Sequence, residues 1–556
     1  MKRKIAVIAP LIDESHFNLD FTLRLKDNNE ELSIARLHQI FSNEKGHASM
    51  AYNYDDDIPA AGYYLQGVLR LNGYDTILTN RYDKATLRSI ANSDVFAVCV
   101  STTMILQPWS FISLMHTIEE ELPGVPIISG GMFLWKQYLQ YERVRTNSME
   151  AGNGHSSSGD TQESSALTLN FFHNDSTLSP SNIMVVSPHG ILSMMRVLKL
   201  LEKGSTADFS DVPNLCLPRP GGFNYTQRVE EEIDYNNDFT RWDFADEIPD
   251  KVKLRTSVGC PYRCGFCDFC TLFPRIFLRT PESINNELRM IRDGSRGKAV
   301  VINVTDDNVF INSRRLFEVC DIFANSGFAN WMGFMRANVY TPDELKAISG
   351  SGLRMSLLGI ESGDQHQLDR MKKHQDAARM SRGIAQLDDL GIMTLLFFVV
   401  GYPGETDQTL ENTANFLRNL ELPNYLTSYH VYPLIIMGLA YVAEQEAREK
   451  WNIKGSLANW SHYTMNSSQA VESCYRLFRM VDNIPYHYLT ESYFFNRGMF
   501  SRNQLIDLYK LRHSLTLSLI DGAGKEQQQQ LLERMAGVMG IQSANTDLNL
   551  IVNAEL

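Results

Sequence analysis

Short β-rich runs alternate with amphipathic helical stretches in two separate parts of the chain. In the first part, residues 1 to about 142, the β-rich runs are Lys4–Ala9, Asp75–Leu78, Val95–Ser101 and Pro126–Ser129. Regular alternation of strand and helix predicts a parallel sheet with helices on both faces. Such sheets bind ligands beyond the carboxyl ends of their strands. Gly130-Gly131 follows one of these ends, where it either leaves bare backbone for a cofactor or forms a simple turn.

The alternation returns, with greater regularity, between residues 251 and about 435. The candidate strands are Lys253–Ser257, Ala299–Val304, Trp331–Met335, Met355–Leu358, Thr394–Val400 and Ser428–Val431. Six parallel strands with crossover helices predict an open or partial barrel. The length of 556 residues is consistent with two such domains, because single hydrophobic cores stop growing at roughly 250 to 300 residues.

These patterns predict an α/β chain with four parts. They are an N-terminal domain at 1–210, a connector at 211–250, a second domain at 251–440 and a mostly helical region at 441–556. Within the first domain, the stretch 143–182 is rich in Ser, Asn, Gly and Thr. Such a composition cannot offset its own ordering entropy, so we predict a flexible insertion there.

Composition and charge argue against nucleic acid and membranes as partners. The net charge of −13 repels phosphate backbones and anionic lipid. The apolar run Ile5–Ala9 follows basic residues as in a signal peptide, but it ends at Pro10 without a small-residue cleavage site. The other apolar stretches, Met393–Val400 and Val431–Ala443, are too short to span a bilayer. We therefore expect a soluble, cytoplasmic protein.

Four of the eight cysteines lie between residues 260 and 270, directly after the first strand of the second domain. They occur in the segment Cys260-Pro-Tyr-Arg-Cys264-Gly-Phe-Cys267-Asp-Phe-Cys270. This clustering argues against a disulfide framework and for a metal site in a reducing compartment. Thiolates suit iron–sulfur clusters or zinc, and short spacings in one loop let three sulfurs converge. Three ligands leave a position open for a substrate or cofactor, whereas four close the site.

The spacing C-x3-C-x2-C, with an aromatic residue before the third cysteine, resembles the signature of the radical SAM superfamily. Further motifs follow in order along residues 1 to about 435, and they resemble the subfamily that has an N-terminal cobalamin-binding-like domain. These motifs are Arg279-Thr-Pro-Glu282, Val304-Thr-Asp-Asp307-Asn-Val-Phe310, Arg336-Ala-Asn338, Leu358-Gly-Ile-Glu361-Ser362 and Val400-Gly401-Tyr-Pro-Gly404-Glu405-Thr406. The resemblance implies a doubly wound Rossmann-like domain, then a radical SAM partial (β/α)6 barrel, then a mostly helical C-terminal region.

The resemblance also implies a cluster site. Cys260, Cys264 and Cys267 would hold a [4Fe-4S] cluster, whose fourth iron would be chelated by S-adenosylmethionine. Phe266 would lie beside the adenine. Cys270 fits no ligand position of the family, so we interpret it as a merely buried cysteine. From the residues alone, a zinc site or a ferredoxin-like cluster stays open for the three cysteines.

Further side chains at the strand ends would complete the S-adenosylmethionine site by the same resemblance. Asp306 and Asp307 would receive the methionine ammonium, unless they are turn residues or a helix cap. Glu361 and Ser362 would contact the ribose or the methionyl carboxylate region, unless Glu361 is simply a solvated side chain. Arg336 either joins this site or pairs with one of the acids. The backbone at Gly401 and Gly404 would approach the adenine.

The N-terminal domain departs from the corrinoid-binding pattern D-x-H-x-x-G. Asp13-Glu-Ser-His16 has neither that spacing nor the glycine, and His38 and His47 also fail it. Relatives carry Gly-Glu-Gly-Glu where this chain has Ser187-Pro-His189-Gly190, and His189 is either a replacement ligand or an ordinary hydrogen-bonded histidine. We therefore expect cobalamin either to bind without a protein ligand to the cobalt or to have been lost.

The resemblance implies reductive cleavage of S-adenosylmethionine and radical chemistry on a small molecule or natural product. With cobalamin the expected reaction is methyl transfer; without it, a rearrangement, a cyclisation or another modification is expected. The implied partner is an electron donor such as flavodoxin or ferredoxin. Alternatives from other classes are an electron-transfer or redox-sensing iron–sulfur protein and a binding module without activity. Trp460-Ser-His462-Tyr-Thr-Met465 either lines a pocket or begins a helix.

Overall fold

The structure is a computed structural model, and it describes residues 3–11, 25–27, 30–32, 34–42, 58–151, 178–204, 208–424, 426–486, 500–542 and 548–552. The chain divides into two compact units. The first comprises Met1–His16, Asp55–Leu254 and Glu282–Ala299, and the second comprises Phe17–Tyr54, Arg255–Pro281 and Val300–Leu556. No helix in the described part of the chain is long and apolar enough to cross a membrane.

Strands and helices alternate along most of the described chain. The strands are β1 Lys4–Ile8, β2 Leu25–Asp27, β3 Glu30–Glu31, β4 Asp75–Thr79, β5 Ala97–Ser101, β6 Ile127–Gly130, β7 Asn182–Val185, β8 Leu215–Arg219, β9 Gly222–Tyr225, β10 Lys251–Leu254, β11 Ser257–Val258, β12 Phe277–Leu278, β13 Val301–Val304, β14 Trp331–Met335, β15 Leu353–Glu361, β16 Met393–Val400, β17 Thr427–Pro433, β18 Lys454–Ser456, β19 Asn459–Ser461 and β20 Leu550–Val552. The helices are α1 Ile34–Ser42, α2 Ala60–Leu71, α3 Lys84–Ala91, α4 Pro108–Glu121, α5 Met132–Ala151, α6 Ile191–Leu201, α7 Phe269–Leu272, α8 Pro281–Ser295, α9 Ser313–Ser326, α10 Pro342–Gly350, α11 Gln365–Arg370, α12 Ala377–Asp389, α13 Asp407–Arg418, α14 Gln445–Trp451, α15 Ser467–Met480, α16 Arg502–Ile520 and α17 Lys525–Val538.

The first unit is built on a twisted sheet with the strand order β4-β1-β5-β6-β7-β8-β9. Pairing is parallel from β4 to β7. Helices α2 and α6 pack on the face that carries Val7 and Cys99. In the parallel part, the chain order of the strands is 2-1-3-4-5, so the direction of winding reverses between β1 and β5. A doubly wound sheet opens its ligand crevice at this reversal, beyond the carboxyl ends of the strands.

The predicted connector at 211–250 is wrong in its first part, because β8 and β9 extend the sheet of the first unit. Strand β8 pairs antiparallel with both β7 and β9. This strand was not predicted because it contains Pro218, and proline has no N–H to donate to a sheet ladder. The pairs with β7 involve Leu215 and Cys216 and stop before the proline. Pro218 therefore lies opposite β9 only, and it interrupts no pairing between β7 and β8.

The predicted insertion at 143–182 is also wrong at both ends. Helix α5 continues to Ala151, and β7 begins at Asn182. The helix continues because Arg143–Ala151 includes good helix formers such as Arg, Met, Glu and Ala. Residues 152–177 of the predicted insertion lie outside the described residues.

In the second unit, strands β13 to β17 pair in parallel and in chain order. Right-handed crossovers between neighbouring parallel strands put all the connecting helices on one face, which is the outside of a barrel. Ring contacts mark this outer face: Trp331 stacks on Phe323 of α9, and Phe398 meets Phe416 of α13. All six strands predicted between residues 251 and 435 are present: the first is β10, which belongs to the first unit, and the other five are β13 to β17.

The opposite, inner face of this sheet is closed at the amino ends of the strands by an apolar cluster, which we call the plug. The sheet contributes Val301, Met332, Met355, Leu357, Met393 and Leu395. Residues of α1, α16 and α17 complete the plug, together with Leu25 of β2. The prediction that residues 1–210 form one domain is therefore wrong for the described residues between 25 and 42, which belong to the second unit. Apolar residues such as Leu37 and Phe41 are buried in the second unit instead.

Candidate radical SAM site

The cysteine loop, which joins β11 to α7, is anchored by its backbone on both sides. The Gly259 N–H donates to the Asp307 carboxylate at 3.0 Å. The Gly265 N–H donates to the Met371 carbonyl at 2.7 Å, and the Gly265 carbonyl accepts from the Val442 N–H at 2.9 Å. A side chain at Gly265 would collide with the Tyr402 hydroxyl. These contacts fix the path of the loop relative to the ends of the barrel strands.

The three predicted ligands, Cys260, Cys264 and Cys267, lie in this loop as partly buried free thiols. Burial raises the pKa of Cys260, and it raises that of Cys267 to about 12. A thiol with a raised pKa stays protonated at neutral pH unless a metal draws the proton off. Three cysteine sulfurs in one anchored loop fit the donor set of an iron–sulfur cluster. Among the described residues, no three His, Cys, Asp or Glu side chains are grouped to hold a single metal ion.

Cys270 lies in α7 rather than in the loop. Its thiol faces the carbonyl of Cys267, with 3.9 Å between sulfur and oxygen. The side chain is partly buried, whereas we predicted a buried cysteine. Its sulfur therefore has a contact within its own turn of chain.

Arg336, just beyond β14, contacts the cysteine loop. Its Nη1 lies 3.9 Å from the Cys264 sulfur, and its guanidinium lies 3.7 Å from the centre of the Tyr262 ring. Its Nη2 donates to the Lys373 carbonyl. These contacts are made with the loop and the backbone, and none of them is with Asp306, Asp307 or Glu361. The cation is therefore placed beside a predicted cluster ligand.

Asp306 and Asp307 both hold the segment that leads into the cysteine loop. Asp306 is 1% exposed and accepts from the Thr256 N–H at 2.6 Å, the Thr256 hydroxyl and the Ser257 hydroxyl. Asp307 accepts from Gly259, and burial raises the pKa of its carboxyl. The oxygens of Asp306 are thus engaged by its own chain, whereas Asp307 has one oxygen with no hydrogen bond described.

Glu361 ends β15 at an irregularity in the pairing with β16. It is 8% exposed and has a left-handed backbone, with φ +69°. Its Oε1 accepts from the Lys373 ammonium at 2.8 Å. A non-glycine residue in this conformation costs free energy and is typical of functional sites. The next residue, Ser362, shares a hydrogen bond with the Thr413 hydroxyl and accepts from the Asp364 N–H.

Gly401 and Gly404 follow β16, and Gly401 needs the absence of a side chain. Its φ is +94°, and a Cβ there would lie 2.6 Å from the Cβ of Ala470. The Gly401 carbonyl accepts from Nε2 of His462 at 2.9 Å, while Gly404 lies against the Arg370 side chain. Phe266 packs on an apolar cluster that includes Met371 and Tyr402. These residues form one packed region on the side of the loop that carries Gly265.

The sequence reading missed several polar residues of this region. Both amide atoms of Asn308 and the hydroxyl of Tyr402 are buried without a hydrogen-bond partner among the described residues. Asn308 directly follows Asp306-Asp307, so its place in the motif was the available signal. His462 was named only as part of a pocket or a helix start. Residues 459–461 instead form β19, and Trp460 stacks on His462.

In the first unit, Gly130-Gly131 closes the carboxyl end of β6. The Gly130 carbonyl accepts from the backbone and the hydroxyl of Thr102. At Gly131 φ is +121°, and a Cβ there would lie 3.0 to 3.2 Å from atoms of Thr102 and Thr103. The hydroxyls of Ser129 and Ser187 are buried without a partner in the described residues. Unpaired buried hydroxyls at this edge of the sheet fit a polar cofactor.

Two of the histidines considered as cobalt ligands are described in contact with other rings. His189 shares a hydrogen bond of 2.9 Å with the Tyr235 hydroxyl through its Nε2. His38 lies in α1 and meets the Phe500 ring edge-on. His16 and His47 lie outside the described residues.

Comparison with known proteins gives a family match for residues 254–417, to the radical SAM superfamily. An uncharacterized methyltransferase of Pyrococcus horikoshii is 26% identical over 180 residues, which are 32% of this chain and 39% of that protein. The hopanoid C-2 methylase of Rhodopseudomonas palustris is 30% identical over 182 residues, 31% of this chain and 33% of that protein. The anaerobic magnesium-protoporphyrin IX monomethyl ester cyclase of Rubrivivax gelatinosus is 27% identical over 165 residues, 29% of each protein. The chain thus spans about a third of the length of these relatives.

Two solved structures share the fold over most of the chain. The cobalamin-dependent S-adenosylmethionine radical enzyme OxsB, solved with aqua-cobalamin and S-adenosylmethionine, covers 97% of this chain and 76% of its own, with 12% identity and a TM-score of 0.58. The radical S-adenosylmethionine methyltransferase TsrM of Kitasatospora setae, solved with cobalamin and a [4Fe-4S] cluster, covers 81% of this chain and 75% of its own, with 14% identity and a TM-score of 0.51. The chain therefore contains a radical SAM domain, at residues 254–417, within a fold that it shares with these two structures.

Proposed function

We propose that the chain is a radical SAM enzyme that reductively cleaves S-adenosylmethionine at a [4Fe-4S] cluster held by Cys260, Cys264 and Cys267. One observation carries this proposal: the backbone of the cysteine loop is hydrogen-bonded both to the family motif that follows β13 and to the turn that follows α11. Gly259 is joined to Asp307, and Gly265 to Met371. The site is thus assembled from the carboxyl ends of the barrel strands, where barrel enzymes place their chemistry.

In this proposal the chain's own residues bind and orient the cluster and S-adenosylmethionine. A [4Fe-4S] cluster held by Cys260, Cys264 and Cys267 would supply the electron that cleaves a C–S bond of S-adenosylmethionine to methionine and a 5′-deoxyadenosyl radical. Asp307 is assigned to the methionine ammonium, and Glu361 and Ser362 to the ribose or carboxylate region. Arg336 sets the position of the loop through Tyr262 and Cys264. Phe266 and the backbone at Gly401 and Gly404 bound the adenine.

The N-terminal unit is proposed to bind cobalamin at the carboxyl edge of its parallel strands. Gly130, Gly131 and the unpaired hydroxyls of Ser129 and Ser187 lie at that edge. Methyl transfer to a small molecule is then the leading reaction, in keeping with the names of the methylase and methyltransferase relatives. The cyclase relative keeps a cyclisation as the second candidate. A flavodoxin or ferredoxin is the proposed electron donor.

Product analysis after reduction tests the radical SAM activity. Anaerobically reconstituted protein is reduced with dithionite in the presence of S-adenosylmethionine. We expect 5′-deoxyadenosine and methionine in equal amounts, and neither product from Cys264→Ala. If reconstituted protein with a full complement of iron forms no 5′-deoxyadenosine, the electron-transfer alternative is favoured.

Spectroscopy of bound corrinoid tests the second cofactor. We expect hydroxocobalamin to stay with the protein through desalting. Electron paramagnetic resonance of the Co(II) form should lack nitrogen superhyperfine splitting from a protein histidine, because His189 already pairs with Tyr235. Nitrogen splitting that vanishes in His189→Ala would contradict the absence of a histidine ligand. Failure to retain any corrinoid would leave the cyclisation candidate.

A further inference from the structure

The inner face of the second-unit sheet changes character along the strands. At the amino ends it carries Met332, Met355 and Leu395, which are buried in the plug. Side chains two residues apart on a strand share a face, so Phe334 lies on the same face as Met332. By the same rule Phe397 follows Leu395, and Tyr432 follows His430, which pairs with Phe397. On β14, β16 and β17 the carboxyl half of the inner face therefore carries rings, whereas β15, between β14 and β16, has Gly359 opposite Phe397.

Three of these rings, Phe334, Phe397 and Tyr432, form what we call the aromatic row. The Phe334 and Phe397 centroids are 5.8 Å apart with 29° between the ring planes. The Phe397 and Tyr432 centroids are 6.2 Å apart with 18° between the planes. These are offset-stacked arrangements, which aromatic pairs prefer. The row is nearly parallel, so it favours a flat ligand over a branched one.

Phe334 is 42% exposed, although it lies between the buried residues Met332 and Met335. An exposed phenylalanine on a barrel's inner face is a costly arrangement if the ring packs against nothing further. Exposed apolar surface in a concave site is typical of ligand-binding positions. The plug buries the aliphatic side chains at the amino ends of the strands, and Phe397 packs against it, but Phe334 is not part of this packing.

The aromatic row is also close to the proposed cofactor residues along the same strands. Phe334 precedes Arg336 by two residues, about 7 Å along an extended strand. Phe397 precedes Gly401 by four residues on β16 and its exit. A molecule on the row would therefore lie on the plug side of the S-adenosylmethionine site, within the barrel.

We propose that the aromatic row is the substrate platform, and that the substrate carries a planar unsaturated ring system which stacks on Phe334. This inference rests on the proposed function, because the bound molecule is a substrate only if the chain is an enzyme. The binding itself requires neither the cluster nor S-adenosylmethionine. Stacking on an exposed ring gives affinity through area and through the ring quadrupoles. An aliphatic substrate would gain affinity only from the buried contact area.

A pair of matched probes separates these two kinds of binding. The probes are 2-naphthol and its saturated counterpart 2-decalol, and their affinities for the full chain are measured by ligand-observed NMR titration. The variants are Phe334→Ala, Phe334→Leu, which keeps apolar volume without a ring, and the control Phe317→Ala. Phe317 lies on α9 and is 41% exposed, so the control removes an equally exposed phenylalanine elsewhere in the same unit.

We expect 2-naphthol to bind more tightly than 2-decalol, although the saturated ring is the more hydrophobic. Both Phe334 variants should weaken 2-naphthol by about fivefold or more, and Phe317→Ala should leave it unchanged. Equal or tighter binding of 2-decalol, or unchanged 2-naphthol affinity in Phe334→Leu, would overturn the platform. Urea unfolding midpoints of the variants serve as the folding check, and Phe334→Leu is decisive if Phe334→Ala proves unstable. If the protein fails to cleave S-adenosylmethionine but shows the expected probe pattern, only the proposed function fails.

Discussion

The Lys373 ammonium lies 2.8 Å from a carboxylate oxygen of Glu361, and both side chains are buried. Glu361 ends β15 and has a left-handed backbone. Lys373 lies in the turn after α11, and its carbonyl accepts a hydrogen bond from Arg336. One residue therefore links the carboxylate proposed for S-adenosylmethionine to the cation beside Cys264. Breaking the pair should affect both sides of the site.

Replacement of Lys373 by alanine should destabilise the protein by about 3 kcal/mol, because it leaves a buried carboxylate without its counter-charge. The free energy of unfolding is measured by urea titration of the cluster-free protein. Lys346→Ala is the control, since Lys346 is exposed on α10 and should cost less than about 0.5 kcal/mol. If the two variants are equally stable, Glu361 is already compensated by another group.

Single cysteine variants should differ sharply in iron content. We expect Cys260→Ala, Cys264→Ala and Cys267→Ala to lose the cluster, and Cys270→Ala to keep it, because Cys270 lies on α7 with its thiol near the Cys267 carbonyl. Iron and acid-labile sulfide are counted per chain after anaerobic reconstitution. Loss of iron from Cys270→Ala as complete as that from Cys264→Ala would show a four-cysteine site.

We expect the main role of Asp306 to be in the stability of the fold. Asp306→Ala leaves the Thr256 N–H and two hydroxyls without their acceptor, and the expected cost is about 2 to 3 kcal/mol. The measurement is urea unfolding of the cluster-free protein, with the exposed Asp389→Ala as a control. We expect the same variant to retain less iron, because the segment that leads into the cysteine loop loses its anchor. A stability equal to that of the control would assign Asp306 to ligand binding instead.

Periodicity and motif order predicted the framework of the site well. Every strand predicted between residues 251 and 435 exists. Local sequence carries this information because strands and helices have different apolar periods. The motifs mark strand ends for the same reason, since each one follows an apolar run.

The partners of the motif residues could not be predicted in this way. Asp306 is paired with Thr256, fifty residues earlier, and Glu361 with Lys373 on the far side of a helix. The docking of Leu37 and Phe41 in the plug depends on helices at the other end of the chain. Such contacts are set by tertiary packing, which no local pattern encodes.

Glu405, in the turn after β16, is a buried carboxyl whose ionisation should control stability at neutral pH. It is 3% exposed, and burial raises its pKa to about 7 from an ordinary value of 4.5. The Thr409 hydroxyl donates to it, which opposes the shift without cancelling it. Burial raises the pKa of the nearby Cys474 thiol, and the charge on Glu405 raises it further.

Because the folded protein holds this proton more tightly than the unfolded chain, the stability that it gives is complete below pH 4.5 and is lost as the pH rises through 7. Between pH 5 and pH 8 the wild type should therefore lose about 2 to 3 kcal/mol that Glu405→Gln does not lose. Urea unfolding of the cluster-free proteins at the two pH values gives this difference. Glu421→Gln, at an exposed position, should follow the wild type at both pH values. Parallel pH profiles for the wild type and Glu405→Gln would mean that Glu405 ionises with an ordinary pKa, and that water reaches the turn after β16.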